Sequence, residues 1–128
     1  MKHQYRDYIL DLLQPYGPIS ARSLFGGFGI YYNELIIGII IDNQLYFKVD
    51  AHLKSDFEAL NSVPFTYESK DGSKKVSMPY MTVPDSILEN RDELPLWIQK
   101  SYQVGLAQKK VTKKLPAAKK QQQQSSNF

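Results

Sequence analysis

The chain contains no cysteine. That excludes a disulfide framework, a thiolate zinc site and a cysteine nucleophile, and it suits a reducing compartment. It has no long apolar run either. The longest, Leu35 to Ile41, is seven residues and includes Gly38, far short of the roughly 20 that span a bilayer. The first residues, Met1-Lys2-His3-Gln4-Tyr5-Arg6-Asp7, hold no apolar signal-peptide core. A cytoplasmic protein without membrane contact is expected. Histidine is scarce. His3 and His52 are the only two, and neither has a second histidine at metal-ligand spacing. Both read as solvent-facing polar residues. No metal or cofactor is implied.

What is present fits one globular domain. The 128 residues are 42% apolar, enough for one core and too few for two. The formal charge of +3 is unevenly placed. Residues 109–128 hold six lysines and no acid, which leaves ten Lys+Arg against thirteen Asp+Glu in residues 1–108. The body is mildly acidic, so any argument for a polyanion partner rests on the C-terminal segment.

Hydrophobic spacing gives the elements. Tyr5, Tyr8, Ile9, Leu12, Leu13 and Tyr16 form one helical stripe, ended by Pro15 and Gly17-Pro18. Short strands are expected at Ala21–Phe25 and Gly29–Tyr32, broken by Gly26-Gly27. Leu35–Ile41 is isoleucine-rich and too short for a buried helix, so it reads as a strand. In Gln44–Val49, Leu45, Phe47 and Val49 alternate with Gln44, Tyr46 and Lys48, the pattern of a half-buried strand. Asn33-Glu34 and Asp42-Asn43 are the turns of an antiparallel meander. Asp50 caps the next helix, with Leu53, Phe57 and Leu60 as its buried stripe. Strands near Phe65–Ser69 and Lys75–Met78 flank a turn at Lys70-Asp71-Gly72-Ser73. One helical turn at Pro84–Leu88 precedes a longer helix capped by Asp92, with Pro95 at its third position and Leu94, Trp97, Ile98, and Ser101 or Tyr102 at helical spacing. Its periodicity fades after Gly105. From Lys109 onward, apolar side chains are too few to offset the entropy of ordering, and residues 109–128 read as a disordered basic tail.

No constellation for catalysis emerges. Asp50, Asp56, Glu89, Asp92 and Glu93 are explained by caps and helix dipoles. Gly26-Gly27-Phe28-Gly29 leads into a strand, not a helix, so it lacks the amide-rich N-terminus a phosphate loop needs. Its glycines read as a structural turn or bulge, with Phe25 and Phe28 anchoring either side. Tyr31, Tyr32, Tyr46, Phe47, Tyr67 and Tyr80 lie on strands, where aromatic rings can stack bases or pack sheets. Without a basic surplus in the body, packing is the better reading.

The series Ser23-Leu24-Phe25-Gly26-Gly27-Phe28-Gly29-Ile30-Tyr31, Leu45-Tyr46-Phe47-Lys48-Val49-Asp50, Phe57-Glu58-Ala59, Pro64-Phe65-Thr66-Tyr67, Met78-Pro79-Tyr80 and Leu94–Trp97 resembles the N-terminal domain of the TfoX/Sxy family. The likeness runs from about Tyr5 to Ala107. Asn33-Glu34 departs from it where a glycine turn is common. The resemblance implies a two-layer α+β fold, an antiparallel sheet covered by helices in the order helix, strands, helix, two strands, helix, similar to secretion-chaperone-like domains. It implies a tie to competence and transcription regulation, with Phe25, Gly26, Gly27 and Gly29 as the motif and no catalytic residues. Full-length regulators of this type carry a second, helical C-terminal domain. Here the lysine- and glutamine-rich segment stands in its place, so residues 1–108 are expected to form a stand-alone domain.

Three functions compete. The first is a non-enzymatic regulatory or adaptor domain that binds a protein. The second is weak, sequence-independent nucleic-acid binding through Lys109, Lys110, Lys113, Lys114, Lys119 and Lys120. The third is an enzyme, which would need a deep pocket with convergent polar groups. An exposed sheet edge would also allow a homodimer.

Overall fold

Two tight hairpins organise the sheet. The computed structural model describes residues 2–24 and 26–114. Within them, β2 (Gly27–Tyr32), β3 (Leu35–Ile41) and β4 (Gln44–Lys48) are joined by two-residue turns. Asn33, Glu34, Asp42 and Asn43 have φ of 51°, 70°, 50° and 59°. Positive φ at both central positions matches the right-handed strand twist, and Asn and Asp tolerate it best. Glu34, where glycine would be easier, pairs its carboxylate with Arg22.

β1 (Ile19–Leu24) adds to β2, while β5 (Pro64–Glu68) and β6 (Lys75–Thr82) complete a six-stranded antiparallel sheet of order β1-β2-β3-β4-β6-β5. All six expected strands form, with shifted ends. β6 runs to Thr82 rather than Met78 because it pairs twice, with β5 through Lys75–Ser77 and again at Met81, and with β4 through Tyr80–Thr82. Pro79 is tolerated inside it; its carbonyl accepts the Val49 amide at 2.9 Å.

Helices α1 (Lys2–Leu13), α2 (Ala51–Glu58), α3 (Asp85–Leu88) and α4 (Leu94–Lys114) supply the second layer. Ile9 and Leu13 of α1, Leu53 and Phe57 of α2, and Leu94, Trp97 and Ile98 of α4 pack with Phe28, Ile30, Ile40, Leu45, Phe47 and Met81 of the sheet into one core. The chain is therefore a two-layer α+β domain. The Phe57 and Trp97 rings meet at a tilt of 49° with centroids 4.6 Å apart, and the Trp97 indole N–H donates to Glu93 at 3.0 Å.

The caps divide. Asp50 accepts the Leu53 amide at 2.8 Å, as expected. The cap before α4 is Asn90, not Asp92: Asn90 Oδ1 accepts the amides of Asp92 and Glu93 at 2.9 and 3.0 Å. Pro95 is the second residue of α4, five residues past Asn90. Leu60 is 40% exposed rather than buried, because α2 ends at Glu58 and Asn61 turns the chain away with φ 64°. Tyr8 also points outward. α4 continues past Gly105 to Lys114, since Lys, Gln and Ala keep high helix propensity without an apolar stripe. The remainder of the expected tail lies outside the described residues.

Candidate functional site

Strand side chains alternate between faces, and in this sheet both faces are apolar. The helices cover one. On the other, Leu24, Tyr31, Ile36, Ile39, Ile41, Phe65, Tyr67, Met78 and Tyr80 line an open groove of about 580 Å³. Every strand except β4 supplies a lining residue, and no helix does. β4 contributes Tyr46, whose ring meets Phe65 edge-on at 5.3 Å.

The motif glycines shape this face. Leu24 pairs with Gly27 across the β1–β2 turn, and Gly26 adopts φ +78° with open space around it. Gly27 has no room for a side chain: a Cβ there would lie 2.0 Å from the Ile40 carbonyl oxygen and 3.0 Å from the tip of Ile41. Gly29 lies beneath Leu24 and Tyr31, which occupy the space a side chain would take. Of the motif glycines, Gly29 thus lies directly under two side chains that line the groove. Phe25 lies outside the described residues.

Polar groups gather where β3 begins. Lys48 and Tyr80 are direct partners across β4 and β6. Lys48 is half-buried, and burial pulls its pKa below the usual lysine range. Tyr80 is 7% exposed; burial, and to a lesser extent Tyr31, push its phenol up. The Arg22 guanidinium lies over the Tyr31 ring at 4.5 Å. At the far end, burial and then the charge of Asp42 raise the Tyr46 phenol.

The remaining candidate residues fall elsewhere. His3 is exposed on α1, with its ring 5.8 Å from that of Phe28. His52 is exposed on α2, 3.9 Å from Asp56. No group of three His, Cys, Asp or Glu suited to a metal occurs among the described residues. No helix among them is long and apolar enough to cross a membrane. Lys109 is exposed on α4, and Lys110, Lys113 and Lys114 belong to the same helix. Lys119 and Lys120 lie outside the described residues. Of the strand aromatics, Phe47 is in the core and Tyr32 meets Tyr102 of α4 at 4.5 Å. Tyr31, Tyr46, Tyr67 and Tyr80 stand on the open face.

Sequence reasoning missed the groove, although a signal exists. Leu35–Ile41 does not alternate. Such a run means a strand apolar on both faces, and the helices can cover only one.

The family model described as TfoX N-terminal domain matches residues 11–105. No curated protein matches the chain.

Proposed function

The chain belongs to the TfoX N-terminal domain family, and from that premise we propose that it is a non-enzymatic regulatory or adaptor domain whose binding surface is the open sheet face. One observation carries this reading: the groove of Leu24, Ile36, Ile39, Ile41, Phe65 and Met78 is apolar and open to solvent. Exposed contiguous apolar surface is unfavourable in a free domain and marks interaction sites. The family's tie to competence makes transcriptional control the expected setting.

The test compares capture of proteins from native lysate by the full chain and by Ile41→Asp and Tyr67→Asp variants. Ile41 is half-buried and Tyr67 46% exposed, so both variants should retain the wild-type melting temperature. A specific protein held by the wild type and lost from both variants supports the reading. Identical capture by all three refutes it.

A second reading rests on the extension of α4 to Lys114. Lys109, Lys110, Lys113 and Lys114 recur at i, i+1, i+4 and i+5 on that helix and would engage a nucleic-acid backbone weakly, with steep salt dependence. Changing these four to glutamine should abolish DNA retention at low salt; unchanged retention rules the reading out.

A further inference from the structure

The two edges of the sheet, β1 and β5, differ in what occupies them. On β1 the Asn33 amide donates to the Pro18 carbonyl, and alternation along an antiparallel ladder turns the backbone groups of Ile19, Ala21 and Ser23 outward. That edge is partly taken, because the Ile19 carbonyl accepts from the Gln14 side chain at 3.4 Å. On β5 the Ser69 amide donates to the Lys74 carbonyl at 2.9 Å. By the same alternation Tyr67 bonds Val76, while Thr66 and Glu68, opposite Ser77 and Lys75, turn their N–H and C=O groups away from β6. Both residues are exposed, and no strand lies beyond β5. An edge of unpaired backbone groups is a template for a further strand. Phe65 and Tyr67 stand together on the open face, their rings stacked with centroids 6.3 Å apart. Of the five large apolar side chains left exposed among the described residues, Leu60, Val63 and Tyr67 lie in β5 or just before it.

The strand is also complementary to itself. Pro64-Phe65-Thr66-Tyr67-Glu68, set antiparallel to a second copy about a two-fold axis at Thr66, brings Phe65 opposite the second copy's Tyr67 and Thr66 opposite its own counterpart. Aromatic pairs and threonine pairs are among the cross-strand combinations that stabilise a sheet. Glu68 then faces proline, so no like charges meet. Thr66 exchanges both backbone bonds across the axis, and each Glu68 amide reaches a Pro64 carbonyl. Proline costs little there, since its missing N–H lies on an edge. We propose that β5 is a homodimerisation edge, through which two copies join into one continuous antiparallel sheet. The axis stands normal to the sheet, so both helix layers lie on one side and both apolar grooves on the other. A five-residue strand buries less than the roughly 1,200–2,000 Å² of stable interfaces, so the dimer dissociates in the micromolar to millimolar range. The pairing does not depend on what the groove binds, and it presents a partner with two grooves instead of one.

Sedimentation equilibrium of the full chain, from micromolar to millimolar protein, should show monomer passing to dimer and nothing larger, because an isologous pairing closes on itself. Thr66→Pro removes the outward N–H and takes no bond from the β6 ladder. Thr66→Lys sets two ammonium groups opposite each other at an exposed position, and it keeps the test open if the proline variant fails to fold. Each should weaken the dimer at least about tenfold, the effect of roughly one to two lost hydrogen bonds, whereas Ile41→Asp should leave it unchanged. Amide exchange followed by NMR gives the second readout. The Ser69 amide, bonded to Lys74, should be protected at every concentration, and those of Thr66 and Glu68 should slow only as dimer forms. A monomer throughout, a dimer that Thr66→Lys leaves intact, or a dimer whose Thr66 and Glu68 amides exchange as fast as in the monomer overturns the proposal. Loss of the dimer in Ile41→Asp but not in Thr66→Lys overturns it as well, since the copies would then meet through their open faces.

Discussion

Replacing Gly27 by alanine places a methyl carbon 2.0 Å from the Ile40 carbonyl oxygen, about 1 Å inside the closest approach that Cβ atoms make. The obstacle is backbone in the central β3, and it cannot rotate away as a side chain would. Relief requires β2 and β3 to separate where Phe28 pairs with Ile40. Overpacking of this kind costs about 3 kcal/mol, the upper part of its usual range, and should lower the melting temperature on the order of 10–20 °C. Gly26→Ala makes the comparison. Gly26 has φ +78° and open space around it, so alanine meets only the left-handed backbone penalty, about 1 kcal/mol. Asparagine at position 26 should cost less still. Urea unfolding followed by the fluorescence of Trp97, buried against Phe57, would rank the variants, with an unchanged m-value showing that stability alone has moved. If Gly26→Ala proves as damaging as Gly27→Ala, close approach to β3 is not what the second motif glycine serves.

Asp71 Oδ1 accepts from the Ser69 hydroxyl at 2.7 Å and from the Ser73 hydroxyl and amide at 2.7 and 3.0 Å. These bonds hold its pKa down to about 2 from 3.8. A carboxylate lowered on folding stabilises the turn above its unfolded pKa and ceases to do so as pH falls through the folded value. The Ser73 amide should therefore titrate by NMR with a midpoint near pH 2, and a midpoint near 4 would contradict the geometry. The Ser101 hydroxyl is fully buried without a hydrogen-bond partner among the described residues, so Ser101→Ala should be neutral or stabilise by up to about 1 kcal/mol; a clear loss in urea unfolding would reveal a partner. Asp50→Ala removes the acceptor of the Leu53 amide and should destabilise by about 1 kcal/mol, while Asp50→Asn retains most of the cap; equal melting of the two variants would contradict that role.

Local structure was legible where one residue decides it. Asp50 announced its cap, and Asp42-Asn43 their turn. Ile9 and Leu13 marked the buried side of α1. Less legible were features set by neighbours distant in sequence. That β6 lies between β4 and β5 depends on pairing across more than thirty residues, such as Phe47 with Met81, which no local pattern encodes. Leu60 has the spacing of a core residue and lies outside the core because the helix stops two residues earlier. Lys48 read as the polar side of an alternating strand, which is true. That its neighbours on that side are apolar emerged only once β3 and β6 were placed beside it. The family motif was legible as glycine-driven structure, whereas the close approach of Gly27 to the Ile40 carbonyl needed the register of β2 and β3.

The central claim is that the open sheet face is the working surface, and isoleucine-methyl NMR of the full chain tests it most directly. Ile36, Ile39 and Ile41 line the groove, whereas Ile9, Ile30 and Ile98 lie in the core. Adding the protein that the wild type captures should shift or broaden the first three methyl signals and leave the second three in place. Undisturbed groove methyls on addition of a protein that the wild type demonstrably retains would contradict the account.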